Sequence, residues 1–210
     1  MSCMNCNGLI KRSICAGFAK IGQTVPIEIR ATAIPAVKLI TPSRINDSRG
    51  FFSETYRRDV FAAASLPLDF VQENHSLSVE AKIVRGLHYQ THPYAQDKLI
   101  RVVRGRIFDV AVDMRASSPT YGKYVVAELS ADNWQQLYVP VGFAHGYCTL
   151  ESNTEVVYKV TNYYSRAHDF GVAWNDPDVG IKWPIDEANA ILSDKDRVQP
   201  RLAEVGPVFE

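Results

Sequence analysis

Lys98-Leu-Ile-Arg-Val-Val-Arg-Gly105-Arg-Ile-Phe-Asp-Val-Ala-Val-Asp-Met114 is the stretch whose reading decides the fold class. Two runs rich in Val and Ile, Lys98–Val103 and Arg106–Met114, are broken at Gly105, and their residues suit a pleated surface. The same texture extends both ways. Upstream candidates are Val37–Thr41, Phe51–Tyr56, Phe70–Val79 and Ile83–His88. Downstream ones are Tyr124–Leu129, Gln136–Val139, His145–Leu150 and Thr154–Tyr164. Gly50, Pro93, Pro119, Gly122, Pro140 and Gly142 punctuate them. Short strands between turn signals are the mark of an antiparallel sandwich or barrel. Arg58–Ser65 reads as a short helix, and Asp186–Leu192 as a second helical stretch before a coil-like C-terminus. No repeat or linker interrupts the pattern, so one all-β domain is expected.

Composition narrows the function. The 210 residues carry 23 basic and 23 acidic side chains. A chain without basic excess has no general grip on nucleic acid, which needs one to displace counterions. No run of about 18 apolar residues exists, which argues against a membrane helix. Residues 1–30 read as a flexible N-terminal extension; Lys11, Arg12 and Lys20 precede its first acid, Glu28. Cys3 and Cys6 have CxxC spacing, but no second pair completes a zinc set. With Cys15 and Cys148 they read as reduced thiols of a cytoplasmic protein.

The polar residues cluster in two places. Arg85-Gly86-Leu87-His88 is followed by Lys98. Strict alternation puts Arg85 and His88 on opposite faces, unless Gly86 carries a bulge that re-aims them. In Thr154–Tyr164, period two puts Tyr158 and Tyr164 on one face, at most about 20 Å apart. The second cluster is Pro140-Val-Gly-Phe-Ala-His145-Gly146-Tyr147. Its PxGxxH pattern is shaped like the second motif of a cupin-type jelly-roll barrel. The first-motif ligands are missing: His88 and His92 do not make HxH, and Lys98 stands where an ion would be repelled. No metal is expected. His, Lys and Tyr together point instead to proton chemistry on a carbon acid, with neutral imidazole a suitable base near pH 7.

From about Ala31 to Leu202 the chain resembles the dTDP-4-dehydrorhamnose 3,5-epimerase family. The resemblance is carried by Asp47-Ser-Arg49-Gly50-Phe-Phe-Ser-Glu54, Phe70-Val-Gln72-Glu-Asn74-His75-Ser and Arg85-Gly-Leu-His88-Tyr-Gln90. Further blocks are Ala95-Gln-Asp-Lys98-Leu, the PxGxxH segment, Tyr158-Lys-Val-Thr-Asn-Tyr-Tyr164, Trp174-Asn-Asp176, Gly180-Ile-Lys-Trp183-Pro and Leu192-Ser-Asp-Lys195-Asp196.

The resemblance implies a single cupin-type jelly-roll domain over 31–210, with short peripheral helices. It implies a homodimer and no cofactor. The substrate would be a nucleotide sugar, dTDP-4-keto-6-deoxyglucose, inverted at C3 and C5. His88 would be the base, Asp196 its brace, Lys98 the partner of the C4 oxygen and Tyr158 the acid on the opposite sugar face. Arg49, Arg85 and Lys195 would meet the diphosphate and its surroundings. Glu54, Gln72, Asn74, His145 and Asp169 fall at binding positions, and Tyr164 would stack on thymine. Ser48 and Asp169 depart from the family's usual acidic residue and Glu. Inversion of one carbon only, or of another nucleotide-linked 4-keto sugar, stays open at this level.

Overall fold

The computed structural model describes residues 26–66 and 69–210; Cys3, Cys6 and Cys15 lie outside the described residues. Strands β1 (Ile27–Ala31), β2 (Lys38–Pro42), β3 (Ile45–Asp47) and β4 (Gly50–Phe52) precede helix α1 (Arg58–Ala63). Then come β5 (Gln72–Ser78), β6 (Val84–Gln90), β7 (Lys98–Arg104), β8 (Arg106–Asp113), β9 (Tyr124–Ser130), β10 (Gln136–Val139), β11 (Phe143–Thr149), β12 (Thr154–Val160) and β13 (Asp169–Gly171). Two short helices, α2 (Asp194–Arg197) and α3 (Leu202–Val205), close the chain.

The strands form a six-stranded sheet, β1-β2-β10-β7-β12-β5, and a five-stranded one, β13-β6-β11-β8-β9. From β5 to β8 each new strand crosses to the other sheet. This is the double-sheet jelly roll expected from the sequence. Between the sheets, Ile100, Val102, Leu137, Val139 and Val156 meet Ile107, Ala111, Val125, Leu129 and Phe143. Burying each such side chain contributes roughly 1.5–3 kcal/mol.

Strand β8 shows why its sequence is almost continuously apolar. Ile107 and Ala111 face the inner core. Val110 and Val112 face away, yet are buried too, under Val172, Val179, Leu202 and Phe209 of the C-terminal segment. The six-stranded sheet is covered in part by α1, whose buried Phe61 packs with Ile40, Leu99 and Tyr138.

Several expectations need adjustment. Residues 27–30, counted with the extension, belong to β1 and pair with β2 from Ile27–Pro42 to Ala31–Lys38. The strand expected at Phe51–Tyr56 shortens to Gly50–Phe52 in a separate ribbon with β3. The helical stretch expected at Asp186–Leu192 is one 3₁₀ turn, Glu187–Asn189. Strand β12 ends at Val160, so Tyr158 and Tyr164 do not share a strand face. The ladder stops because polar side chains take over the backbone: the Tyr163 amide donates to Asn162 and the Tyr164 amide to Gln72. Among the described residues, no helix is long and apolar enough to cross a membrane.

Candidate functional site

A cavity of about 440 Å³ opens between the two sheets. Arg85, His88, His145 and Tyr147 line it from the five-stranded sheet; Ser76, Lys98 and Tyr158 line it from the other. Ile191, Leu192, Ser193 and Asp196 of the C-terminal segment close one side.

The five-stranded wall depends on a bulge. His145 pairs with His88 and Tyr147 with Arg85, so two steps along β11 match three along β6. The extra residue lets Arg85 and His88 both face the cavity, as the Gly86 reading allowed. Gly86 has φ +117°, and a Cβ there would lie 2.6 Å from the Gly146 Cα. Only glycine fits both the conformation and the space.

His88 Nε2 and Asp196 Oδ1 are 2.6 Å apart. The carboxylate can only accept, so the ring donates through Nε2 and keeps Nδ1 as its acceptor. Asp196 is buried, held by the Ser193 hydroxyl donating to Oδ2 at 2.7 Å. Burial pushes its carboxyl up, but hydrogen bonding and charge from His88, with Ser193, outweigh that and lower it. His145 forms a second pair of the same kind, its Nε2 2.6 Å from Oδ1 of the fully buried Asp109.

The facing wall is built in cross-strand rows. Ile100, Tyr158 and Asn74 form one row over β7, β12 and β5; Lys98, Val160 and Gln72 form the second row along, past Leu99, Lys159 and Glu73. Lys98 and Tyr158, two rows apart, therefore emerge on the same inner face. The Lys98 ammonium donates to the His88 carbonyl oxygen at 3.2 Å, spanning the gap between the sheets. Burial lowers it to about 8, against the opposing pull of Asp169 and Asp109. The Tyr158 hydroxyl is raised, chiefly by burial and next by Tyr147, while Arg85 works against both. Arg85 itself is aimed by its donations to Ser78 Oγ and the Leu77 carbonyl, each at 3.2 Å.

The structure brings together His88, Lys98, Tyr158, Asp196, Arg85 and His145 around one cavity. Gln72 and Asn74 lie on the same face of β5 as Ser76, with Gln72 donating to Asn74 at 2.8 Å. Asp169 accepts from both the Tyr164 hydroxyl and the Lys195 ammonium, linking three expected binding residues. Asp169 pairs with Gln90, two positions beyond His88 on β6, so this cluster flanks the cavity. Arg49 and Glu54 are not brought there. Arg49 sits at the turn of the β3–β4 ribbon, paired with Asp47 at 2.6 Å, and Glu54 faces Arg57 at 3.4 Å. The ribbon packs on Trp134 through Phe51 and Ser53 instead.

Sequence reading missed Asp109, Ser76 and Tyr147. Period two held the signal: Tyr147 follows His145 by two, Ser76 follows Asn74 by two, and Asp109 lies between Ile107 and Ala111. Among the described residues, no group of three or more His, Cys, Asp or Glu is gathered as a metal would require.

A jelly roll that gathers an imidazole, a phenol and a buried ammonium in its cleft has the build of a cupin-type enzyme. More narrowly, the chain belongs to the dTDP-4-dehydrorhamnose 3,5-epimerase family, whose model matches residues 31–204. It is 50% identical over 181 residues to the dTDP-4-dehydrorhamnose 3,5-epimerase of Sinorhizobium fredii, covering 86% of this chain and 92% of that one. The crystal structure of the Bacillus anthracis enzyme of that name, with TDP and PPi bound, is 48% identical. It superposes with a TM-score of 0.81 over 84% of this chain and 99% of that one. A Legionella pneumophila dTDP-6-deoxy-D-glucose-3,5-epimerase, in complex with dTDP-4-keto-L-rhamnose, is 38% identical with a TM-score of 0.82. There the cover is 88% of this chain and 100% of that one.

Proposed function

We propose that the chain inverts C3 and C5 of dTDP-4-keto-6-deoxyglucose, giving dTDP-4-keto-L-rhamnose. One observation carries this reading: an imidazole, His88, and a phenol, Tyr158, stand on opposite sheets with a cavity between them. A sugar held in that gap meets His88 on one face and Tyr158 on the other.

C3 and C5 both flank the C4 ketone. His88 removes a proton, the C–H pair becomes the enolate double bond, and charge moves onto the C4 oxygen. Lys98 stabilises that oxygen, and Asp196 stabilises the imidazolium that forms. Tyr158 then breaks its O–H bond to protonate the carbon from the other face, restoring the ketone with inverted configuration. The same groups serve each carbon in turn. Arg85 and Lys195 suit the diphosphate, while Gln72, Asn74, His145, Asp169 and Tyr164 suit the sugar and base.

A homodimer completes the reading. Arg49 sits at the turn of a ribbon and Glu54 just past its end; the ribbon's Phe51 and Phe52 are 51% and 61% exposed. A second protomer seated against that ribbon would receive both residues at its own nucleotide-binding cleft. The unpaired, buried Cys148 suits a reducing compartment such as the cytoplasm.

The test is incubation of dTDP-4-keto-6-deoxyglucose with the protein in heavy water, followed by NMR. The expected product is the L-configured 4-keto sugar with deuterium at C3 and C5. Label at one carbon alone would make the enzyme a single-centre epimerase, and label at neither would reject the proposal.

A further inference from the structure

The proposed reaction makes a demand that its four central residues do not meet. Two inversions in one visit require Tyr158 to give up a proton twice. After the first gift it is a phenolate, and the sugar still fills the cavity between it and open water. It must be reloaded from behind.

Tyr147 and Ser76 stand where such a supply would run. The Tyr147 ring belongs to the inner core and is 5% exposed. Packing uses only the ring; a hydroxyl carried into that place needs a polar partner. It has one in Ser76 Oγ, 3.1 Å away across the gap between the sheets. Ser76 pairs with Val156 and Tyr158 with Asn74, so Ser76 and Tyr158 are diagonal neighbours on one sheet face. Ser76, Tyr147 and Tyr158 all border the same cavity. Strand β5 is the edge of its sheet, which places Ser76 on the side nearest solvent. Tyr158 senses the charge of Tyr147, and Arg85 favours the ionised form of both.

We propose that Tyr147 and Ser76 form a hydroxyl relay that returns a proton to Tyr158 between the two inversions. This rests on the reading of Tyr158 as the acid. The proton moves from the Tyr147 O–H to the Tyr158 phenolate. In the same shift Tyr147 takes the Ser76 proton, and Ser76 takes one from water. The proton that His88 releases to solvent balances the one drawn in, so every hydroxyl ends as it began. Tyr147 acts through Tyr158 and is a positioning residue.

The experiment follows Tyr147→Phe, Ser76→Ala and Tyr158→Phe in heavy water by NMR. Tyr147→Phe keeps the ring and the packing. It should slow the second inversion about tenfold or more beyond any effect on the first. A sugar inverted at one carbon should then accumulate, with continued deuterium exchange at the carbon not yet inverted. Ser76→Ala should accumulate the same species. A merely structural role would lower both inversions together, and that outcome overturns the relay, as does doubly inverted product formed at the wild-type rate with no intermediate. Tyr158→Phe separates the two ideas. It should block both inversions while exchange continues; if exchange and inversion fail equally there, the acid role of Tyr158 is what falls.

Discussion

His88→Asn is expected to abolish inversion at both carbons and, with it, all deuterium exchange at C3 and C5. The substitution is chosen to keep the structure. Asparagine fits within the space of the imidazole and stays polar, though its amide stops short of the Nε2 position from which His88 donates to Asp196 at 2.6 Å. What it lacks is a basic nitrogen. A positioned base is worth about 10²–10⁴ in rate. Because exchange needs only the first proton transfer, it should fall as far as product formation. Exchange that persisted at either carbon would assign that carbon to another base. His145, paired across the sheet from His88 and bonded to Asp109, would then be the candidate.

Lys98→Met should cost about 10²–10³ in rate, the usual loss when one partner of a developing oxyanion is removed. Its pH behaviour is the sharper mark. Burial brings the Lys98 ammonium down to about 8, so the free enzyme loses this charge as pH rises through that value. kcat/KM should therefore fall above about pH 8 in the wild type. In Lys98→Met that limb should be absent. Stability should move the other way. A lysine whose folded pKa lies below its unfolded value of 10.5 holds a charge that the fold resists at and below pH 8. Between about 8 and 10.5 the unfolded chain binds the extra proton, so the wild type gains stability over that window relative to Lys98→Met. Rate measurements and thermal unfolding from pH 7 to 10.5 would check both. An unchanged alkaline limb in the variant would show that Lys98 does not supply the charge.

Much of the architecture could be read from local signals. Most long strands came from runs of β-branched and aromatic residues between Gly and Pro, because a pleated, packed surface selects those side chains; β5, Gln72–Ser78, has neither kind. The Gly86 bulge was legible for a steric reason: a glycine between two polar residues of opposite parity lets both turn to one side. What failed needed knowledge of neighbours. Thr154–Tyr164 looks like one long strand, but β5 pairs with β12 only as far as Gln72–Val160, and Gln72 itself then captures the Tyr164 amide. Ile27–Ala31 gains its order from β2 rather than from its own composition.

The site divides along the same line. His88 and Asp196 lie 108 positions apart in the chain, and their pairing came from resemblance; no spacing rule joins them. Asp109 is one acid in an apolar strand, and its parity with Ile107 and Ala111 turns it inward to His145. Arg49 and Glu54 came with the resemblance, but a single chain leaves them at the turn of an outlying ribbon and just past its end, where Arg49 meets Asp47 and Glu54 meets Arg57.

The central claim is that the proton removed from each carbon and the proton returned to it travel by different walls. It is tested most directly with substrate carrying deuterium at C3 and C5, converted in ordinary water under single-turnover conditions, with the product read by mass and NMR. Two separate groups predict product free of deuterium at both carbons. Deuterium kept at an inverted carbon would mean that one group both takes and returns the proton, and would contradict the account.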